Sequence, residues 1–365
     1  MITIPVDVKP RSYNVLIESG LLAKAGSLLR ELIPDASRLF VITVTPVRRK
    51  WGKTFLASLS AAGFDAKLLD MPEGERFKRL ATVEKLAEQL TALGADRNSV
   101  VLAFGGGVAG DVGGLVASLY MRGIEFVQIP TTVLAQVDAS VGGKTGVNLK
   151  AGKNLVGTFH QPRVVLIDPQ VLSSLPQREY RAGLYEALKC GVIGNAELFA
   201  EFEKHRDAIL KRDPVTVERL IAQSVRLKAH VVSVDEKENG LRRVLNFGHT
   251  IGHALEAETA YRTLLHGEAV AWGMVAAARI AAEVGKLQAE QADRISLATR
   301  NLGKLPRLEI RARNVARRLQ SDKKTRNGKV HFVLPTEIGK VEVVSDVPER
   351  VVLGAVEEIR ELSGG

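Results

Sequence analysis

Histidines cluster in one short part of this chain. Three of its seven histidines, His249, His253 and His266, fall within eighteen residues. His249 and His253 are four residues apart, which places them on one face of a helix, and a carboxylate would complete a metal site. This spacing also arises by chance, but the clustering favours a divalent metal. Glu186 and Lys189 are the best distant contributors, because they lie in an apolar segment where buried charges need an ion pair or a metal.

A run of glycines stands between an apolar segment and a helical one. Gly105-Gly106-Gly107-Val108-Ala109-Gly110-Asp111 follows a strand-like stretch. Glycines there let the backbone approach a pyrophosphate, whose charge is favoured by the N–H groups at a helix N-terminus. The run departs from Gly-x-Gly-x-x-Gly by one added glycine, and a simple tight turn is the alternative. The strand-glycine-helix context favours a nucleotide site.

A second glycine loop carries two lysines. Ser140-Val141-Gly142-Gly143-Lys144-Thr145-Gly146 contains a Gly-Lys-Thr triplet, and Lys153-Asn154 follows. Asp138 stands where a Walker A loop has its first glycine, which disfavours a P-loop NTPase. The lysines remain suited to holding a phosphate or a carboxylate.

The chain is basic, with a net charge of +10. Nine lysines and arginines between Arg307 and Lys329 are opposed only by Glu309 and Asp322. A solvated helix face and an anionic small substrate both explain this excess. Nucleic-acid binding is disfavoured because no zinc-finger or RNA-recognition pattern accompanies the basic run.

These residues must be positioned by alternating strands and helices. Helical periodicity predicts helices from Pro46 to Ala62 and from Leu80 to Leu93. An Asn-Gly turn signal at 327–328 precedes the last two predicted strands. Interleaved strands and helices indicate a mainly parallel sheet covered on both faces. Apolar β-branched runs predict strands at 39–44, 65–69, 99–104, 125–129, 163–167, 330–334 and 341–344.

After Asp168-Pro169 the β-branched runs become scarce and helix-forming residues dominate. We therefore predict an α/β domain with a mainly parallel nucleotide-binding sheet over 1–172, and a mostly α-helical metal-binding domain over 173–365. A cleft between the domains is the expected binding site. The lone Cys190 excludes an intrachain disulfide, and the N-terminus lacks a signal-peptide pattern. No apolar run reaches the ~20 residues of a membrane span, so we expect a cytoplasmic protein without a membrane partner.

Many of these segments together resemble the 3-dehydroquinate synthase family of sugar-phosphate cyclases, from about residue 12 to 345. The related iron-dependent alcohol dehydrogenases share the implied fold but not this set of lysines and arginines. The motifs that carry the resemblance are Pro72-x-Gly74-Glu75-x-x-Lys78, the Gly105–Asp111 loop, Tyr120-Met121-Arg122-Gly123, Pro130-Thr131-Thr132 through Asp138, Val141-Gly142-Gly143-Lys144, Gly152-Lys153-Asn154, Phe159-His160-Gln161-Pro162, Asp235-Glu236-x-Glu238, Arg242-x-x-Leu245-Asn246-x-Gly248-His249-Thr250-x-Gly252-His253, His266-Gly267-Glu268-Ala269-Val270 and Asp322-Lys323-Lys324.

The resemblance implies a role for each matching residue. Glu186, His249 and His266 would be the ligands of one divalent zinc or cobalt ion. NAD would lie on Gly105, Gly106, Gly107 and Gly110, near Glu75, Lys78, Asp111, Thr131, Thr132, Asp138, Lys144 and Lys153. A phosphorylated sugar acid would be held by Arg122, Lys144, Lys153, Asn154, Lys189, Lys228, Arg242, Asn246, His253 and Lys324, with Lys323 as an alternative to Lys324.

The implied reaction uses NAD catalytically. NAD+ oxidises a secondary alcohol of 3-deoxy-arabino-heptulosonate 7-phosphate, which acidifies the neighbouring C–H bond. Phosphate leaves, NADH returns the hydride, and an aldol step closes the ring to 3-dehydroquinate. The resemblance also implies a homodimer and a place in the shikimate pathway of aromatic amino acid biosynthesis.

Two segments depart from the family pattern. Tyr185 and Cys190 flank the Glu186-to-Lys189 segment where the family usually has other residues, and Val44-Thr45-Pro46 replaces a more polar stretch near the adenosine ribose. Three other functions remain open at this point: another cyclase acting on sedoheptulose 7-phosphate, glucose 6-phosphate or an amino-substituted substrate; an NAD- and metal-dependent polyol dehydrogenase; and a non-catalytic NAD- or nucleic-acid-binding protein. The intact Glu186, His249 and His266 argue against the last.

Overall fold

The computed structural model describes residues 1–325 and 330–364. The predicted Asn327-Gly328 turn lies outside the described residues. No helix of the described residues is long and apolar enough to cross a membrane. The strands are β1 (Ile2–Val6), β2 (Tyr13–Ile17), β3 (Leu39–Val44), β4 (Ala66–Met71), β5 (Val100–Gly105), β6 (Glu125–Pro130), β7 (Lys144–Leu149), β8 (Gly152–Phe159), β9 (Val164–Ile167), β10 (His331–Glu337) and β11 (Lys340–Ser345).

The helices confirm the predicted change from alternating strands and helices to mostly helical structure, because long helices dominate after residue 176. They are α1 (Ala25–Leu32), α2 (Thr45–Val47), α3 (Lys53–Ala61), α4 (Leu80–Ala92), α5 (Gly107–Leu119), α6 (Gln177–Gly194), α7 (Ala196–Lys204), α8 (Arg206–Leu210), α9 (Pro214–Val234), α10 (His249–Glu258), α11 (His266–Glu283), α12 (Ala289–Asn301), α13 (Ala312–Thr325) and α14 (Glu349–Leu362).

The chain forms two compact units, which do not follow one another simply along the sequence. The first comprises Met1–Pro176 and Val217–Glu236, and the second comprises Gln177–Thr216 and Lys237–Gly365. Most of α9, which the sequence assigns to the second domain, therefore belongs to the first unit. The amino-acid composition of a helix does not indicate whether that helix packs with the sheet or with neighbouring helices.

The first unit is built on a seven-stranded sheet in the order β1-β2-β9-β6-β5-β3-β4. All described pairs in it are parallel except β1 with β2. Its central strands are apolar throughout, as expected where helices cover both faces. After β4 the chain returns to the other side of β3 to form β5. The order reverses there, and such switch points are where ligands bind at the carboxyl ends of parallel strands.

Two strand pairs and one helical turn depart from the sequence predictions. β1 and β2 were not predicted, because Pro5 interrupts the strand pattern of β1, which is tolerated at a sheet edge. The second glycine loop instead opens an antiparallel hairpin, β7 with β8. The helix predicted from Pro46 to Ala62 includes a π-helical turn, Arg48–Gly52.

The second unit packs helices around α11, which is buried along most of its length. Gly267 makes the packing of α11 on α6 possible, because a Cβ there would lie 1.9 Å from the carbonyl oxygen of Ala182. This close approach brings the first turn of α11, with His266, to the turn of α6 that precedes Glu186. The hairpin β10–β11 completes the unit. The predicted fold class, a mainly parallel α/β half followed by a mostly helical half, is confirmed.

Candidate active site

Glu186 lies between two histidines in the second unit. Its Oε1 is 3.7 Å from Nε2 of His249 and 3.7 Å from Nε2 of His266. His249 is the first residue of α10 and His266 the first of α11, so two helix starts converge on the middle of α6. Ligands about 2.1 Å from a tetrahedral zinc lie roughly 3.4 Å apart, so these separations fit a metal site.

The environment of Glu186 also fits a cation. The residue is fully buried, and its Oε1 accepts no hydrogen bond. Lys189, one turn later and equally buried, places its Nζ 2.5 Å from Oε2. A buried carboxylate is costly unless charges or donors surround it. Oε1 is the atom that faces the two imidazoles, and a divalent metal there would supply the missing partner.

His249 is held in the form that a metal ligand requires. Burial lowers the pKa of His249 well below its usual value, and the charges of Lys189, His266 and His253 lower it further. The imidazole is therefore neutral near pH 7. The backbone oxygen of Phe247 lies 3.1 Å from Nδ1 and accepts a hydrogen bond from its N–H, which leaves the lone pair on Nε2.

His253 belongs to the same cluster. Nitrogens of His249, His253 and His266 all lie within 4.8 Å of one another, and the rings of His249 and His253 meet edge to face at 5.3 Å. The expectation that His249 and His253 share a helix face is confirmed. The geometry accommodates two ligand sets, the three histidines or Glu186 with His249 and His266, and the latter stays our prediction.

Some of the other predicted substrate residues of the second unit are buried or form hydrogen bonds within the protein. Arg242 is buried in the helical turn Leu241–Asn246. Asn246 donates a hydrogen bond from Nδ2 to Oε1 of Glu238 at 2.7 Å. Glu238 lies in a recognised motif but had no predicted role, and it orients the Asn246 amide. Lys324 lies outside the residues whose side chains the structure describes.

The predicted nucleotide loop joins β5 to α5 at the switch point of the sheet. Gly106 immediately precedes α5, and Thr131 donates its N–H to the carbonyl oxygen of Gly105 at 2.9 Å. The Thr131 hydroxyl is buried without a hydrogen-bond partner. An unsatisfied hydroxyl beside a helix N-terminus fits a bound nucleotide. Thr132 accepts a hydrogen bond from the backbone N–H of Ala135 at 3.2 Å.

The glycines of this loop serve two purposes. A Cβ at Gly105 would lie 2.6 Å from that of Ala109, and one at Gly110 would lie 2.8 Å from Oε1 of Gln128. Packing of α5 on the sheet therefore requires Gly105, whereas a side chain at position 110 would require the end of the Gln128 side chain to move. At Gly107 the nearest contact would be an ordinary 3.4 Å. The sequence motif predicts that all of these glycines allow a nucleotide to approach the backbone. It cannot separate this role from their role in helix packing.

Several predicted residues of the first unit form one polar network. Lys78 is buried, pairs with the Asp111 carboxylate and donates to Oδ1 of Asn154 at 2.6 Å. Burial raises the pKa of Asp111, and the adjacent Lys78 charge opposes that rise. Asn148 extends the network by donating from Nδ2 to Oε1 of Glu75 at 2.8 Å and accepting the backbone N–H of Asn154 at 2.9 Å. The sequence did not single out Asn148, and no local signal marks it.

A second ion pair joins the π-helical turn Ala135–Ala139 to α9 within the same unit. Lys228 Nζ lies 2.6 Å from Oδ1 of Asp138 and 2.5 Å from its backbone oxygen. Lys144 begins β7 and Lys153 is the second residue of β8. The inclusion of most of α9 in the first unit is what brings Lys228 to Asp138.

Arg122 is placed apart from these groups. It has a left-handed backbone, with φ of 69°, and lines a cavity of about 330 Å³ with Lys9, Arg11, His160 and Glu236. Among the described residues, no other predicted site residue lines that cavity.

Comparison with known proteins gives a consistent family. The sequence model described as 3-dehydroquinate synthase N-terminal matches residues 68–182, and the one described as 3-dehydroquinate synthase C-terminal matches 183–325. A 3-dehydroquinate synthase from Koribacter versatilis (strain Ellin345) is 55% identical over 360 residues, covering 99% of this chain and 98% of the relative. One from Solibacter usitatus (strain Ellin6076) is 51% identical over 352 residues, covering 96% and 97%.

Solved structures show related cyclases with cofactors. The 2-epi-5-epi-valiolone synthase ValA from Streptomyces hygroscopicus subsp. jinggangensis 5008, solved with NAD+ and Zn2+, matches with a TM-score of 0.89 and 33% identity, covering 97% of this chain and 98% of that one. A 2-deoxy-scyllo-inosose synthase, solved with carbaglucose-6-phosphate, NAD+ and Co2+, matches with a TM-score of 0.87 and 27% identity, covering 99% of both chains.

Proposed function

This chain belongs to the 3-dehydroquinate synthase family, and we propose that it converts 3-deoxy-arabino-heptulosonate 7-phosphate to 3-dehydroquinate and phosphate as a carbon-oxygen lyase. The observation that carries the proposal is the buried Glu186, unsatisfied at Oε1 and 3.7 Å from two histidine nitrogens. Burying a carboxylate without a hydrogen-bond partner costs folding free energy, and a protein that only binds ligands would gain nothing from it. The match to synthases at 55% identity supplies the reaction.

Glu186, His249 and His266 would hold zinc or cobalt, and the Gly105–Gly110 loop with Thr131 would hold NAD. When bound, NAD takes and returns a hydride, and the metal acts as a Lewis acid toward substrate oxygens. Lys189 pairs with Glu186 and holds that carboxylate directed at the site.

The remaining residues bind and orient the substrate. Lys144, Lys153, Lys228 and Arg242 provide cations for its phosphate and carboxylate, through charge-assisted hydrogen bonds. Asn154, Asn246 and His253 offer hydrogen-bonding groups to its hydroxyls. Asp111 and Asp138 hold Lys78 and Lys228 in fixed positions, so these ammonium groups are oriented before NAD and substrate, respectively, arrive.

The proposal predicts phosphate release that needs NAD only in catalytic amounts, because one turnover removes and returns the same hydride. Purified protein would be mixed with substrate, zinc and sub-stoichiometric NAD, while phosphate and NADH absorbance are followed together. We expect many equivalents of phosphate and no net NADH. Conversion of the added NAD to NADH without phosphate release, stopping when that NAD is used up, would identify a polyol dehydrogenase instead.

A second cyclase reaction has support from the fold neighbour ValA, named a 2-epi-5-epi-valiolone synthase. Sedoheptulose 7-phosphate lacks the carboxylate of the proposed substrate and serves as the comparison. We expect phosphate release from the carboxylate-bearing substrate only. Faster release from sedoheptulose 7-phosphate would favour the second reaction.

Lys153→Ala tests the anion site. Losing one charge-assisted bond of about 1.5–3 kcal/mol should lower kcat/KM by roughly 10 to 100-fold. Lys150→Ala is the matched control, because Lys150 lies exposed beside the same hairpin turn and has no assigned role. Equal kinetics in the two variants would remove Lys153 from the site.

We also propose that the enzyme is a homodimer, as the family resemblance implies, and that it is cytoplasmic. Light scattering of the purified protein measures its oligomeric state directly, and a monomeric mass would contradict the proposed dimer.

A further inference from the structure

Glu256 is a buried carboxylate with no place in the mechanism above. It lies near the end of α10, and its side chain is only 3% exposed. Its Oε2 is 3.3 Å from Nδ1 of His266. Buried carboxylates in native proteins are usually retained for a partner. Here that partner is one of the predicted metal ligands.

The helix presents Glu256 and the histidines together. His249, His253 and Glu256 follow one another at steps of four and three residues, which places all three side chains on one face of α10. The backbone oxygen of Glu256 accepts the N–H of Tyr261 at 2.8 Å as the helix ends. The carboxylate is therefore held on a fixed backbone, facing the start of α11.

The contact determines which nitrogen of His266 carries the proton. An ionised carboxylate only accepts hydrogen bonds, so Nδ1 must donate. The lone pair is then on Nε2, the atom 3.7 Å from Glu186. His249 has the same arrangement, but its Nδ1 faces the neutral carbonyl of Phe247. A carboxylate partner raises the basicity of a ligating imidazole more than a carbonyl does.

We propose that Glu256 is the positioning residue of the metal site, which fixes the tautomer and orientation of His266 and strengthens it as a ligand. This rests on the proposed function, because it takes His266 to be a ligand. Nothing in the contact requires Glu256 to touch substrate or NAD.

Titration of metal-free protein with Co2+ tests this without turnover. Calorimetry gives the affinity, and the visible absorption of bound Co2+ reports its coordination. Removing an outer partner of a metal ligand typically costs 10 to 100-fold in affinity. We expect about 10-fold weaker Co2+ binding in Glu256→Gln, which retains an acceptor oxygen, and nearer 100-fold in Glu256→Ala, with an altered Co2+ spectrum in both.

Glu258→Gln is the matched control, because Glu258 lies on the same helix but pairs with Arg318 and Asn314. Its Co2+ affinity should equal that of the wild type. Thermal unfolding of each metal-free variant measures any purely structural role. Wild-type affinity in both Glu256 variants, with or without lower stability, would overturn the inference and leave the proposed function standing. Wild-type protein that binds neither Co2+ nor Zn2+ would instead refute the proposed metal site.

Discussion

His266→Ala should purify nearly free of metal, while His253→Ala keeps one metal per chain and turns over poorly. His266 Nε2 faces the buried Oε1 of Glu186 at 3.7 Å, whereas His253 is exposed. Removing a ligand should weaken binding by more than the roughly 100-fold that an outer group costs. Removing an outer residue leaves the ligand set whole.

The two variants are matched, because each removes one imidazole from the same cluster of three. Elemental analysis after purification in zinc, followed by Co2+ titration of the stripped proteins, gives metal content and affinity. Both variants should unfold at temperatures close to that of metal-free wild type. Metal lost from both variants would establish the three-histidine alternative. Metal lost from the His253 variant but retained in the His266 variant would overturn the predicted ligand set.

Lys189→Met should destabilise the metal-free protein by about 3–5 kcal/mol, the usual cost of leaving one member of a buried ion pair unpaired. Lys189 and Glu186 are both essentially inaccessible, and Nζ lies 2.5 Å from Oε2. Methionine preserves much of the lysine stem, so the loss reports the charge rather than a cavity. Urea unfolding of the stripped protein measures it.

Two further measurements separate the contribution of the Glu186–Lys189 ion pair from other effects of the substitution. Glu186→Gln combined with Lys189→Met should recover much of the stability, because neither member is then left charged and alone. Lys204→Met, at the exposed end of α7, should change stability by at most about 0.5 kcal/mol. Zinc should restore part of the loss in Lys189→Met, since the ion replaces the missing positive charge. A stability equal to that of Lys204→Met would show that the pair is unimportant.

The local sequence was enough to predict the helices and strands that have a strong hydrophobic pattern. The strand at 39–44 agrees with β3 residue for residue, and the helix predicted from Leu80 to Leu93 ends within one residue of α4. Continuous apolar β-branched runs identify strands buried on both faces. Weaker patterns were missed, as with β1, where Pro5 breaks the run, and the glycine-rich hairpin β7–β8.

Residue types and spacing alone were enough to single out the three histidines, with Glu186 and Lys189 as distant contributors. The resemblance to a family reduced this group to Glu186, His249 and His266 as the predicted ligands of one metal. Their distances came only from the tertiary structure. Gly267 packs against the Ala182 carbonyl, and that contact sets how closely His266 approaches Glu186, eighty residues away in the chain. The pairing of Glu256 with His266, and of Lys228 with Asp138, likewise depends on how helices pack. Side-chain chemistry is a local property of the sequence, whereas separations between distant residues arise from packing of the whole unit, which no short motif encodes.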